Sequence, residues 1–237
     1  MDRRRARGML PAALTALLIP SRETEKGAIL SRDEVQQTGP GVPRGARTIL
    51  DETGIRRTLM RIAHEILERS EDPDQLYLVA IPNGGVPLAR QIAGNLQQIA
   101  DLRVAVGILD TTLYRDDLTS TNERPMLRRT EMPSAVDDRV VLLVDDVVKT
   151  GRTIRAAMDA LMDFGRPRAV QVVGLIDRGH RELPIKLDYV GKNVPTGPGE
   201  NVRLLGEFGG LDGRLAVVIE RGTSDLAMEA VGGGEIG

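Results

Sequence analysis

The stretch that most restricts how this chain can fold is Val140 to Leu161, VVLLVDDVVKTGRTIRAAMDAL. Five consecutive apolar residues, Val140 to Val144, predict a strand buried on both faces, as in a parallel sheet, and the run ends in the adjacent carboxylates Asp145 and Asp146. Beyond it, Lys149-Thr150-Gly151-Arg152-Thr153 supplies a glycine, two hydroxyls and backbone N–H groups, after which Ile154, Ala157, Met158 and Leu161 fall on one face of a helix. A strand, a small-residue loop and a helix N-terminus make a cradle for a phosphate, because unpaired N–H groups and the positive end of the helix dipole point at it. Two carboxylates beside that cradle make electrostatic sense when they serve another part of the same ligand, and the vicinal hydroxyls of a ribose are of that kind. The stretch has neither the spacing of a Walker loop nor a G-x-G-x-x-G opening a helix, so neither of those phosphate sites is meant.

The rest of the 237 residues, 41% hydrophobic and 28% charged overall, suits one globular domain with tails. Aromatic residues make up only 2%, so the core must be built from aliphatic side chains. The absence of cysteine excludes disulfides and thiolate chemistry, and two histidines argue against a histidine-rich metal site, leaving any metal unidentified. With 32 basic against 34 acidic residues, contact with nucleic acid would need a local patch.

The N-terminus, MDRRRARGMLPAALTALLIPSR, has the basic start and apolar run of an export signal, but it lacks a small-x-small cleavage site and is interrupted by proline. Residues 1–47 are therefore expected to be a disordered or loosely docked extension, with no membrane span and a cytoplasmic location. From Asp51 a helix is expected, with Leu59, Ile62, Ala63, Ile66 and Leu67 as its apolar stripe. Arg57, Arg61, His64 and Glu68 share the opposite face, flanked by Arg56 and Arg69, and on this pattern alone an ordinary solvated face is favoured over an RNA contact.

Tyr77 to Ile81 reads as a strand, Pro82-Asn83-Gly84-Gly85 as a turn whose glycines let backbone approach a ligand, and Val86 to about Ile99 as a helix. Arg103 to Leu109 is the next strand, and the polar segment from Asp110 to Pro133 has the length of a lid or binding loop. After the central motif come a strand from Ala169 to Ile176, a turn-rich segment from Asp177 to Pro195, a last strand from Leu215 to Glu220 and a flexible tail over 223–237. Alternating strands and helices imply an α/β fold with a mostly parallel twisted sheet, whose ligand lies beyond the carboxyl ends of the strands. The turn at Asn83, the 110–133 loop and the Asp145 loop should meet at one crevice.

The four apolar residues, two acids and Thr-Gly loop resemble the phosphoribosyl pyrophosphate (PRPP) motif of type I phosphoribosyltransferases. Over residues 48–222 the chain is similar to the PyrR family of pyrimidine-operon attenuators that are also uracil phosphoribosyltransferases. DTTLYRDDL (110–118), LVDDVVKTGRTIRAAMDAL (143–161) and DRGHRELPIKLDYVGKNVPT (177–196) carry that resemblance. It implies a type I phosphoribosyltransferase fold with a small hood, flanked by helices, and binding of uridine nucleotides (UMP, UTP) and guanosine nucleotides. It also implies recognition of a stem-loop in pyrimidine-leader mRNA that favours transcription termination, conversion of uracil and PRPP to UMP with Mg2+, and a homodimer or larger homo-oligomer.

By position, the resemblance assigns the ribose to Asp145 and Asp146, the 5′-phosphate to Lys149, Thr150, Gly151, Arg152 and Thr153, and the diphosphate side to Asn83, Gly84 and Gly85. Arg115 on a closing loop is the catalytic partner of the two aspartates, and Asp177, Arg178, Gly179 and His180 frame the base. The RNA contacts map onto Arg57, Arg61, His64, Arg69, Arg181, Lys186 and Lys192.

This chain departs from the family at three places. Pro82-Asn83-Gly84-Gly85 stands where the family has K/R-T-R-G, which removes two cations that would face diphosphate; Lys149 replaces an aromatic residue; and Met60 replaces a threonine on the RNA-contacting helix. Transferase turnover is accordingly expected to be low, with Lys149 a candidate replacement charge and arginine at 84 the restoring substitution. The competing readings are a nucleobase salvage transferase without RNA regulation and a degenerate nucleotide-binding domain serving a partner.

Overall fold

The computed structural model describes residues 43, 45–82, 84–116, 130–206, 208 and 215–221, all within the compact unit Gln36–Gly237. Expectations for the extension before residue 43, for Asn83, for 117–129 of the polar loop and for the tail lie outside these residues.

Five strands form a parallel sheet: β2 (Leu76–Ala80), β3 (Ala105–Ile108), β4 (Val140–Val148), β5 (Ala169–Asp177) and β6 (Tyr189–Asn193), in the order β3-β2-β4-β5-β6. Side chains alternate between the two faces of a strand. Leu76, Leu78, Ala80, Leu142 and Val144 pack beneath the helices α1 (Glu52–Arg69) and α2 (Gly85–Ala100), whereas Tyr77, Val79, Val141 and Leu143 pack on the other side with α3 (Arg152–Leu161). Because both faces are covered, β2 and the first part of β4 are unbroken apolar runs. A separate antiparallel sheet of β1 (Arg47–Leu50), β8 (Ala216–Arg221) and β7 (Glu200–Leu205), in the order β1-β8-β7, forms the small second layer. Its Val202, Val217 and Ile219 join the same core cluster as α1 and α2.

The helices begin and end where local chemistry dictates. Asp51 caps α1, its Oδ1 accepting from Gly54 N at 2.7 Å, and the expected stripe Leu59, Ile62, Ala63 and Ile66 is buried. α2 ends at Asp101 in the left-handed conformation, φ 53°. Its start is set by a close approach: a Cβ on Gly85 would meet the carbonyl oxygen of Val144 well inside 3.0 Å, and that same oxygen accepts from Ile81 N at 2.9 Å. Only glycine lets the chain turn from β2 into α2 while pressed on the end of β4.

Several expected boundaries move. β4 does not stop at Val144; its ladder with β5 continues through Asp145↔Gly174 and Val147↔Ile176 to Val148↔Asp177, carrying both acids into the strand. The segment from Asp177 to Pro195, expected to be irregular, contains β6, and β1 and β7 also went unforeseen. These strands are short and half exposed, with no sustained alternation to reveal them.

Replacing Gly85 by alanine is expected to cost about 1–3 kcal/mol, because the new methyl collides with backbone that cannot yield. Gly94→Ala, in the middle of the same helix with nothing within 4 Å of the added Cβ, should stabilise by about 0.5–1 kcal/mol. Urea denaturation of both variants separates the two effects.

Candidate functional site

The continuation of β4 sets the chemistry at its carboxyl end. Asp145 is only 6% exposed, and one of its oxygens accepts from the backbone N–H of Asp146 at 3.0 Å. Burial, and then repulsion from Asp146, push its carboxyl well above the usual carboxylate range; the Asp146 N–H bond and the charge of Arg115 pull the other way. Asp146, half buried, lies directly against the turn before α2, and a Cβ on Gly84 would overlap its carboxyl group. The expected restoring substitution at position 84 therefore has no room while Asp146 keeps this place.

The loop that follows is held by a strap running from the end of β5. Arg178 N donates to Val148 O at 2.9 Å, while Glu182 N and Leu183 N both donate to Thr150 O, at 3.0 and 3.2 Å. Arg181 ties the same loop from its side chain, with Nη1 donating to Lys149 O at 2.7 Å, Nε to Ile185 O at 2.9 Å and Nη2 to Asp177 Oδ2 at 2.8 Å. Within the loop Thr150 Oγ1 accepts from Arg152 N at 3.3 Å, and Gly151 takes φ 91°, which a side chain would resist. Arg152 bridges Glu182 at 2.7 Å and Asp116 at 2.8 Å, so the described start of the 110–133 loop is joined to the phosphate loop. Gly84 thus meets the end of β4 at Asp146, and the described start of the 110–133 loop meets the loop after β4 through Asp116 and Arg152.

Two cavities open beside this junction. One, of about 800 Å³, is lined by Pro82, Gly84, Asp146, Arg90 of α2, and Leu204 and Phe208 from the second sheet, among others. The other, of about 520 Å³, is lined by Lys149, Arg178, His180, Thr196, Glu200 and Asn201, among others. Arg178 is 7% exposed, and its Nε and Nη2 are fixed by Thr196 Oγ1, with Nη2 also donating to Glu200 O. Burial lowers its pKa. His180, at φ 56°, sets Nε2 2.9 Å from Thr196 O. Lys149 lines this second cavity and not the one at Gly84, so it is not the replacement charge for the 82–85 turn. Arg90, Glu200 and Phe208 have no signal in the sequence that sets them apart, whereas Thr196 closes the 177–196 segment.

The basic residues fall into two groups. Arg57, His64, Lys186 and Lys192 are exposed and make no hydrogen bond or ion pair among the described residues. Arg61 and Arg69 instead clamp α1 to β6: Arg61 Nη2 donates to Val190 O and Gly191 O at 2.9 and 2.8 Å, and Arg69 Nη1 donates to Asp188 O at 2.7 Å with its guanidinium 4.7 Å from the centre of the Tyr189 ring. These bonds bring α1 beside the strand that carries Lys192. Arg181 is directed inward to the phosphate loop and does not join them.

A parallel sheet with cavities at its carboxyl edge, an acidic pair near the end of the central strand and a glycine-hinged loop leading into α3 define a phosphoribosyltransferase-type fold. The phosphoribosyl transferase domain family matches residues 45–224. Among solved structures, a Trypanosoma cruzi hypoxanthine phosphoribosyltransferase is 21% identical with a TM-score of 0.57, covering 81% of this chain and 100% of that one. More specifically, the chain belongs to the PyrR family. It is 56% identical over 171 residues to the bifunctional protein PyrR of Pelotomaculum thermopropionicum, covering 72% of this chain and 93% of the relative. It is 54% identical to that of a Roseiflexus species over 175 residues, covering 73% and 96%. No helix among the described residues is long and apolar enough to cross a membrane.

The raised Asp145 carboxyl has a consequence for stability. A group whose folded pKa lies above its unfolded value of about 3.9 stabilises fully below that value and loses its contribution as pH rises through the folded pKa. Asp145→Asn, which mimics the neutral form, should therefore raise the melting temperature at pH 7, an increment that disappears below about pH 4. Calorimetric scans of both proteins across that range check it; an equal increment at every pH would contradict the burial argument.

Proposed function

We propose that this chain is a cytoplasmic, nucleotide-responsive RNA-binding regulator that attenuates transcription of pyrimidine-biosynthesis genes and carries a uracil phosphoribosyltransferase site. Uridine and guanosine nucleotides are its effectors and a stem-loop of pyrimidine-leader mRNA is its target; like its family, it would work as a homodimer or larger homo-oligomer. The observation that carries this reading is the strap from Asp177 to Asn193. Its first half holds the phosphate loop through Arg181, Glu182 and Leu183, and its second half is β6, held by Arg61 and Arg69 of the basic helix.

In the transferase reaction N1 of uracil bonds to C1 of the ribose as the bond from C1 to the diphosphate oxygen breaks, and N1 gives up its proton. Little covalent work falls to protein groups, so the chain contributes by orientation and electrostatics. Asp145 and Asp146 accept the ribose hydroxyls, the loop 149–153 with the start of α3 receives the 5′-phosphate, and Asp177 to His180 frame the base in the smaller cavity. Arg115 faces the departing diphosphate. Asp146, which lines the larger cavity, fits a magnesium ion that would arrive with the diphosphate, since Mg2+ binds through one or two carboxylates and completes its shell with phosphate oxygens and water. When bound, the metal neutralises the leaving group. With Pro82 and Gly84 in place of cations, turnover should be slower than nucleotide binding would suggest.

Two outcomes follow. Asp146→Asn should weaken UMP binding by roughly 1–3 kcal/mol with the fold unchanged, as measured by calorimetry; unchanged affinity would remove the ribose assignment. Arg57→Ala and Lys192→Ala, which break no hydrogen bond or ion pair among the described residues, should each weaken binding to a pyrimidine-leader stem-loop and flatten the log–log salt dependence by about 0.7–0.9. Should wild type fail to distinguish that RNA from an unrelated hairpin while still binding UMP, the salvage transferase becomes the better reading.

A further inference from the structure

The 82–85 turn leaves the diphosphate side of the site without a charged loop residue, and we propose that Arg90 of α2 supplies the missing cation, binding the diphosphate group of PRPP or free pyrophosphate. The proposal rests on the nucleotide-site reading above and names a contact which that reading does not contain. Its basis is the 800 Å³ cavity. Gly84 and Asp146 line one part of it, and among the described lining residues Arg90 is the only cation.

Arg90 is exposed and makes no hydrogen bond or ion pair among the described residues. Its neighbour Arg56 is occupied, with bonds to Glu52 and Gln91 and its guanidinium 4.9 Å from the centre of the Phe208 ring. Arg90 follows Gly85 by five residues, which at 1.5 Å per residue is about 7.5 Å along the helix. Side chains of a helix lean toward its N-terminus, and Arg90 lines the same cavity as Gly84 and Asp146, so its long stem can extend toward that end. Val86, Leu204 and Phe208 form apolar walls there, which lower the local dielectric and strengthen an ionic contact.

A side chain cannot reach this space from position 84, because its Cβ would overlap the Asp146 carboxyl group, and Lys149 lines the other cavity. Arginine on α2 therefore approaches the diphosphate from the helix where a loop arginine would approach it from the turn. The planar guanidinium fork matches two phosphate oxygens, a geometry that lysine does not reproduce. The ligand class that fits is a ribose 1-diphosphate, with the sugar hydroxyls on Asp146 and the diphosphate on Arg90.

Calorimetric titrations of the full chain with PRPP, pyrophosphate and UMP, each in magnesium-containing buffer, test this. Arg90→Gln should weaken PRPP and pyrophosphate binding by about ten-fold or more while leaving UMP binding within two-fold or so of wild type, and Arg90→Lys should fall between. Melting temperatures of the variants check that the fold is intact. Equal PRPP affinity in wild type and Arg90→Gln overturns the proposal, as does a parallel loss of UMP and PRPP binding in that variant, or a wild type that binds UMP and not PRPP. A wild type that binds neither ligand overturns the nucleotide-site reading itself, and this contact with it.

Discussion

The pairing of β4 with β5 beyond Val144 is the constraint on which the rest depends. Because the ladder runs on to Val148↔Asp177, Asp145 is drawn into the sheet and Asp146 is set on its edge. The folded state holds a carboxylate where hydrophobic packing would favour none, a stability cost characteristic of sites built for ligands. The same strand end receives the turn before α2, where Gly85 presses on the Val144 carbonyl and Gly84 on Asp146. One backbone junction thus fixes the two acids, the turn before α2 and the start of the loop after β4 at once.

Arginine does most of the connecting. Arg178 secures the second cavity from within, Arg181 holds the phosphate loop, Arg152 joins that loop to Asp116, and Arg61 and Arg69 fasten β6 to α1. Surface ion pairs contribute little to stability singly. These arginines do more, because most donate to backbone carbonyls, which specifies where a strand or loop lies. The division between tethered and untethered side chains among the described residues also separates two groups that one basic stripe conceals: Arg61 and Arg69 shape the surface, while Arg57 and Lys192 leave their charges available.

The sequence made the parallel sheet legible because strands buried on both faces leave unbroken aliphatic runs, and made α1 and α3 legible because each buries a stripe at helical spacing. The loop after β4 was readable for a related reason, since its Thr-Gly-Arg-Thr order and its place between a strand and a helix stand together in the sequence. What stayed hidden depends on residues far apart in the chain. β1, β7 and β6 are short and half exposed; the reach of β4 past Asp145 depends on β5; and nothing local predicts that Lys149 and Arg90 line different cavities. Arg181 shows the limit most clearly: as a letter it belongs with the basic residues, and only the fold turns it inward.

If the strap from Asp177 to Asn193 joins nucleotide to RNA, hydrogen exchange of its backbone amides is the most direct measurement. Glu182 N and Leu183 N donate to Thr150 O, so a phosphate seated on the loop should slow their exchange, and the effect should extend through the strap into β6 beside Arg61 and Arg69. The account predicts added protection in both halves of the strap when UMP is bound. Protection confined to residues 149–154, with β6 unchanged, would contradict it.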